Sequence, residues 1–165
     1  ELRKLIDDAD GDVSISLSDN RVCFTFGGSI LTSKLIDGTF PDYERVIPSG
    51  NDKVLELDGK TFAQAVDRVS TVSTEKSRAI KLTLSTDMIT LSATGTDSGS
   101  ATEELAASYS SGDLEIGFNS KYLLDITGQI EGDNAHFVLA DAQSPTIVKD
   151  STDDGALYVL MPMRV

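Results

Sequence analysis

Apolar and polar residues alternate along Val13-Ser14-Ile15-Ser16-Leu17, Val22-Cys23-Phe24-Thr25-Phe26 and Ile30-Leu31-Thr32-Ser33-Lys34-Leu35, and a period of two marks a half-buried strand. Asp19-Asn20 and Gly27-Gly28 supply the turns, so three antiparallel strands are expected here. Ahead of them Glu1 to Ile6 reads as the last turns of an amphipathic helix, so the chain is expected to be a piece of something longer. The pattern lapses between Asp37 and Lys53, where Pro41, Pro48 and Ser49-Gly50-Asn51-Asp52 have the composition of a linker. Two domains are therefore expected, 1–50 and 51–165.

Beyond the linker the pattern restarts. Val54-Leu55-Glu56-Leu57 predicts a strand and Asp58 an N-cap, followed by a helix with Phe62, Ala65, Val66, Val69 and Val72 on one face. Three strands are predicted next, at about 79–85, 88–94 and 103–109. The order then recurs: strand Leu114 to Phe118, N-cap Asn119, a helix with Leu123, Ile126 and Ile130 inward, and strands near 135–140, 145–149 and 156–161. This is a βαβββ unit written twice, and the opening segment fits a third copy lacking its first strand. Two helices layered on antiparallel sheets make an α+β fold. The helices also present polar sides, with Lys60, Gln64, Asp67, Arg68 and Thr71 on the first and Lys121, Asp125, Gly128 and Gln129 on the second. Such sides are ordinarily solvated.

Composition narrows the functions. With 39% hydrophobic and 25% charged residues the chain has enough apolar content to pack a core. Its net charge of −13 argues against wrapping nucleic acid non-specifically, so any DNA contact must come from local basic clusters. No apolar run approaches a membrane span and no signal peptide is legible, which predicts a cytoplasmic protein. Catalysis finds little support. His136 is the only histidine and lies between Ala135 and Phe137 in a predicted strand, while Cys23, the only cysteine, reads as a small core residue. Gly28 to Leu35 lacks the second glycine and the Ser/Thr after lysine of a phosphate loop, and Asp8, Asp10 and Asp12 lack the spacing and closing glutamate of a calcium loop. No metal or cofactor is expected.

Two segments do not suit a bland domain: Gly38 to Pro48, where aromatic, proline and apolar residues gather outside any periodic element, and Tyr158 to Val165, where two methionines flank a proline. Methionine-rich apolar surface adapts to peptide ligands. At these residues the sequence resembles the bacterial sliding clamp family, the beta subunit of DNA polymerase III. The matching stretches are Thr32 to Tyr43, Glu75-Lys76, Glu115-Ile116-Gly117-Phe118-Asn119 and Tyr158-Val159-Leu160-Met161-Pro162-Met163-Arg164, in order across nearly the whole chain.

The resemblance implies a DNA-clamp fold, helices lining a central hole and sheets on the outer rim, in a ring closed head to tail by two subunits of three similar domains. Residues 1–50 would be the last part of the middle domain and 51–165 the third. It implies a non-catalytic processivity factor that encircles duplex DNA without reading its sequence. Such a clamp tethers the polymerase III catalytic subunit, the clamp loader and repair proteins through short peptide motifs. Lys60, Arg68, Lys76, Arg78 and Lys121 would face the hole. Pro41, Arg45 and Val46 would form one wall of the peptide pocket and Val159, Leu160, Met161, Pro162, Met163 and Arg164 another, with Asn119 and Tyr122 beside the adjoining subsite. Thr71, Val72, Glu103 and Glu104 would meet a neighbouring subunit. The full-length protein would be a homodimer and this fragment a monomer. An acidic peptide-binding adaptor that forms no ring is the competing expectation.

Overall fold

A computed structural model of the chain describes residues 11–73, 78–95, 99–153 and 155–165. The expected helix at Glu1 to Ile6, the aspartates Asp8 and Asp10, and the pair Glu75-Lys76 lie outside the described residues. The chain forms two compact units, Glu1–Pro41 and Asp42–Val165, so they divide ahead of the proline-rich segment's end rather than at 50/51.

In the first unit, β1 (Ser14–Leu17), β2 (Arg21–Phe26) and β3 (Ser29–Lys34) pair antiparallel in that order. Gly27 and Gly28 both take positive φ, +49° and +79°, which is what the tight turn between β2 and β3 demands. The register aligns Ile15, Phe24 and Leu31 across the sheet, with Leu17 beside Val22. The period of two thus gathers these five apolar residues on one side, while Ile30, opposite Thr25, falls on the other.

The second unit contains β4 (Lys53–Asp58), α1 (Gly59–Ser70), β5 (Ala79–Ser85), β6 (Met88–Gly95), β7 (Gly99–Ala106), β8 (Ser108–Tyr109), β9 (Leu114–Asn119), α2 (Ser120–Thr127), β10 (Asn134–Leu139), β11 (Thr146–Asp150) and β12 (Tyr158–Leu160). Both expected repeats are present. They do not form separate sheets, because the first strand of each pairs with the strand that follows the other repeat's helix. One sheet runs β12-β11-β10-β4-β8 and the other β7-β6-β5-β9.

The equivalence extends to single hydrogen bonds. Asp58 caps α1 by accepting from the Thr61 amide at 2.6 Å, and Asn119 caps α2 by accepting from the Lys121 amide at 2.9 Å. The first helical amide of α1, Gly59, donates to Asp133 O at 2.9 Å, and that of α2, Ser120, donates to Arg78 O at 2.8 Å. Four orphan amides open every helix, and here the partner repeat takes one from each.

Each repeat also ends by crossing between sheets. β7 pairs with β6, then the chain breaks at Ala107 and β8 pairs with β4. The break is held by Asp87 in the β5–β6 turn, whose amide donates to Tyr109 O at 3.0 Å and whose carbonyl accepts from the Ala107 amide at 3.1 Å. The strand expected over 103–109 therefore starts earlier, at Gly99, and is interrupted. Its Gly-Ser-Ala-Thr start is too weakly apolar to announce a strand. In the second repeat β12 pairs with β11, and Met163 then pairs with Gly117 of β9.

The core lies between the sheets and the helices. Phe62, Ala65, Val66 and Val69 of α1 are buried, and the Phe62 ring meets Phe137 of β10 edge to face at 5.4 Å. The second helix is shorter than its apolar period suggests. Thr127 Oγ1 accommodates the end by donating back to Leu123 O at 2.9 Å, and the chain tightens so that Ile130 packs against the core from beyond α2. No helix among the described residues is long and apolar enough to cross a membrane.

One carboxylate organises the turn after α2. Asp150 accepts from the amides of Glu131 at 2.9 Å and Gly132 at 2.8 Å, and from the amide and hydroxyl of Thr152, both at 2.8 Å. These donors, the Gly132 amide foremost, lower its pKa from 3.8 to about 2. A Cβ on Gly132 would overlap Asp150 Oδ1 and lie 2.7 Å from Thr152 Oγ1. Because the folded pKa lies below the unfolded one, the carboxylate stabilises the fold above pH 3.8, and that contribution is lost as pH falls through about 2. Denaturant midpoints measured from pH 6 down to pH 2 should fall less steeply in Asp150→Asn than in the parent. Gly132→Ala should lower the midpoint at pH 6 by displacing the carboxylate.

Candidate peptide groove and helix face

Tyr122 and Ile126 stand four residues apart on α2, so their side chains share one side of the helix. That side faces β12, an edge strand, together with Leu157 before it and Met161 after it. Tyr122, Asp125, Ile126, Leu157, Tyr158, Val159, Leu160 and Met161 enclose an open groove of about 480 Å³. Leu160 is buried beneath it, while Tyr122 and Met161 are more than half exposed. The groove offers exposed, adaptable apolar surface and one carboxylate, Asp125.

The residues assigned to a peptide pocket from the sequence are distributed unevenly about this groove. Val159, Leu160, Met161 and Tyr122 line it. Asn119 does not, but as the cap of α2 it sets the start of the helix that carries Tyr122. Pro162 is half-buried; the Met163 amide donates to Gly117 O at 2.8 Å, and Arg164 is exposed. Pro41 ends the first unit. Arg45 and Val46 stand at a single 3-10 turn, Tyr43–Arg45, where Arg45 Nε lies 2.7 Å from Asp42 Oδ2, and neither lines the groove. Asp125, Ile126, Leu157 and Tyr158 line the groove without having been singled out as pocket residues. Asp125 and Ile126 were legible as the i+3 and i+4 neighbours of Tyr122.

The second surface belongs to the two helices, which pack side by side. Lys60 and Ala63 near the start of α1 share a depression with Leu124 and Thr127 of α2, and Ser70 and Thr71 share another with Ser120 and Lys121. The helices therefore run antiparallel. Arg78, at φ +43°, is placed beside Lys121 because its carbonyl receives the first amide of α2. Two cations and the hydroxyls of Ser70, Thr71 and Ser73 thus surround one depression of about 380 Å³, with Asp125 on its rim. Lys60 sits at the other end among Asp58, Glu131 and Asp133. No ion pair among the described residues engages Lys60, Arg78 or Lys121, whereas Lys76 lies outside them.

Arg68 differs. Its Nε donates to Glu103 Oε2 at 3.0 Å and its second nitrogen to Glu103 Oε1 at 2.5 Å, a fork-to-fork pair between α1 and β7. The hydrogen bonds from Arg68 hold the Glu103 carboxyl below its ordinary pKa, and Glu103 raises that of Arg68. The sequence reading assigned these residues to different surfaces, one to a basic hole and the other to a subunit contact. Within this chain they satisfy each other. Of the remaining contact candidates, Thr71 is exposed with its hydroxyl donating to Arg68 O at 2.7 Å. Val72 packs partly against the core, and Glu104 is exposed. His136 reaches across the sheet to Glu56, Nε2 to Oε2 at 3.1 Å.

Comparison with known proteins places these surfaces in context. Residues 44–164 match the family described as DNA polymerase III beta subunit, C-terminal domain, and residues 1–42 match its central domain. The beta sliding clamp of Caulobacter vibrioides is 51% identical over the whole chain and that of Escherichia coli K12 36% identical. The chain spans 44% and 45% of these two relatives. Among solved structures, the sliding clamp of Bartonella birtlesii bound to griselimycin superposes at a TM-score of 0.88 with 51% identity. That match covers 99% of this chain and 44% of the other. A second, from Pseudomonas aeruginosa, gives 0.89 at 41% identity, covering 99% and 45%.

The Arg68–Glu103 pair makes the charge of the helix face depend on a residue of the sheet. Glu103→Gln and Glu104→Gln each remove one negative charge, but only the first releases a helix cation. Retention on a heparin column should therefore rise more for Glu103→Gln than for Glu104→Gln, and the difference should vanish in the Arg68→Ala background.

Proposed function

The chain belongs to the DNA polymerase III beta-subunit family, the beta sliding clamps, and on that premise we propose that it serves DNA replication in the cytoplasm as part of a processivity clamp. In this reading the two-helix face turns toward duplex DNA and the groove beside β12 receives partners. Both roles are binding roles and ask for no reacting group. A clamp holds DNA by topology, so its phosphate contacts are best weak and independent of sequence, since tight contacts would slow sliding. A face on which Lys60, Arg78 and Lys121 form no ion pair among the described residues, interspersed with Asp67 and Asp125, suits that demand better than a dense basic patch. The chain as a whole is strongly acidic, at net charge −13, which keeps DNA off its other surfaces.

The single observation that carries the partner-binding half is the exposed apolar groove formed by Tyr122, Ile126 and Leu157 to Met161. A flexible methionine and a tyrosine face accept variants of one apolar motif with modest affinity, which lets polymerase, clamp loader and repair proteins exchange on one site. Closing a ring needs the parts of the longer protein that this chain does not span, so the chain by itself acts as a monomer. The reading of a free-standing adaptor has no observation in its favour beyond the groove itself.

A short peptide containing Gln and a Leu-Phe pair, titrated into the labelled chain, should give saturable NMR shifts confined to Tyr122, Ile126 and residues 157–161. Met161→Ala and Tyr122→Ala should each weaken binding about tenfold, the 1–2 kcal/mol of a truncated interface anchor, without moving the unfolding midpoint. Absence of shifts at these residues in both the chain and its longer parent would overturn the assignment of the groove.

A further inference from the structure

Gly117 lies on the outer side of β9, two residues before the Asn119 cap, and is buried there by the segment that follows β12. The Met163 amide donates to its carbonyl at 2.8 Å, and the two residues form an isolated antiparallel bridge. A Cβ built on Gly117 would overlap Val165 Cγ1 and stand 2.6 Å from the Met163 carbonyl oxygen. The valine could rotate away. The carbonyl is backbone, so relief there requires the segment to lift from β9.

The other repeat shows that the strand itself does not ask for glycine. Counting back from the caps, Asp58 and Asn119, the residue equivalent to Gly117 is Glu56. Glu56 pairs with His136 on one side and Ser108 on the other, as Gly117 pairs with Lys81 and Met163. Its side chain is accommodated and bonded, accepting from Asn134 Nδ2 at 2.8 Å. Gly117 does not take a positive φ, so no backbone strain calls for glycine either. What distinguishes the two sites is the chain passing overhead.

We infer that Gly117 is a saddle that seats residues 163–165 across β9 and, through them, fixes the rim of the groove. The inference rests on the proposed peptide-binding role only for its functional half. Mechanically, the rim is held at two points. Tyr158, Val159 and Leu160 pair with β11, and Met163 pairs with β9, leaving Met161 and Pro162 to span between the sheets. Proline restricts Met161 to extended conformations, so the position of Met163 is transmitted to Met161 with little slack. Gly117 touches no ligand in this arrangement; it is a positioning residue.

The test is Gly117→Ala in the full 165-residue chain and in a chain shortened by deletion of 163–165. Amide exchange should show the Met163 amide losing at least about tenfold of its protection in Gly117→Ala, while Ile80 and Leu82 of β5 keep theirs. If the seated state falls to about one fifth of the population, affinity for the Gln- and Leu-Phe-containing peptide falls about fivefold. In the shortened chain, which binds weakly already, the same substitution should change neither exchange in β5 nor affinity. Unchanged Met163 protection in Gly117→Ala overturns the inference. So does loss of β5 protection in both backgrounds, since the added methyl would then be acting on the core. Should the parent chain fail to bind the peptide, the proposed function loses its support, and Met163 exchange still decides the saddle.

Discussion

The second unit depends on an exchange of strands. β4 introduces the first repeat but lies against β10 of the second, and β9 introduces the second but lies against β5 of the first. Neither repeat can bury the inner side of its sheet alone, because the strand that would flank it has been lent to the other. The exchange also fixes the helices. Each leaves its strand at a capping residue, and its first amide is received by the residue preceding the partner repeat's strand. The direction of α1 and α2 is therefore settled where the repeats meet, and their antiparallel contact follows.

Both surfaces on which the proposed function rests are by-products of that arrangement. Launching α2 from Asn119 at the edge of one sheet brings Tyr122 and Ile126 beside β12 at the edge of the other, so the groove lies along a junction between sheets. Setting the helices antiparallel puts the end of one against the start of the other. The terminal polar groups of both thereby collect in two depressions, and Arg78 and Lys121 share one of them. The fork between Arg68 and Glu103 then ties the last turn of α1 to β7 and removes one cation from the shared face.

Much of this was legible in the sequence because it is local. Strand alternation, the caps Asp58 and Asn119 and the buried stripe of α1 are set by neighbours within a few positions, and the structure has them as the pattern predicts. The α+β class followed from the order of elements. The missing parts were those that distance in sequence conceals. Nothing near Arg68 announces that Glu103 will reach it, since the pairing depends on β7 crossing beneath α1. Ala107 does not look like a strand break, because the cause is the Asp87 turn hydrogen-bonding there. Met163 was grouped with the groove because it neighbours Met161, yet one residue after the proline the chain is already on the other sheet. Asp150, the most heavily bonded carboxylate described, had no signature beyond a strand end before Ser-Thr.

The equivalence of the repeats persists in backbone bonds long after it has faded from the side chains, as expected of a unit that was duplicated and then diverged. Symmetry of this kind constrains only what the main chain must do. At the two crossings between sheets the same backbone task is performed by different means. The first crossing is anchored inward by one buried ring, Tyr109, whose hydroxyl donates to Gly112 O at 2.6 Å, with Ala106 and Ser108 exposed beside it, whereas the second is laid over a glycine, Gly117. One copy of the crossing is pinned to the core by a large side chain. Its twin, resting on a glycine instead, displays Met161 outward, which is how a duplicated scaffold comes to offer an exposed apolar edge without inventing a new element.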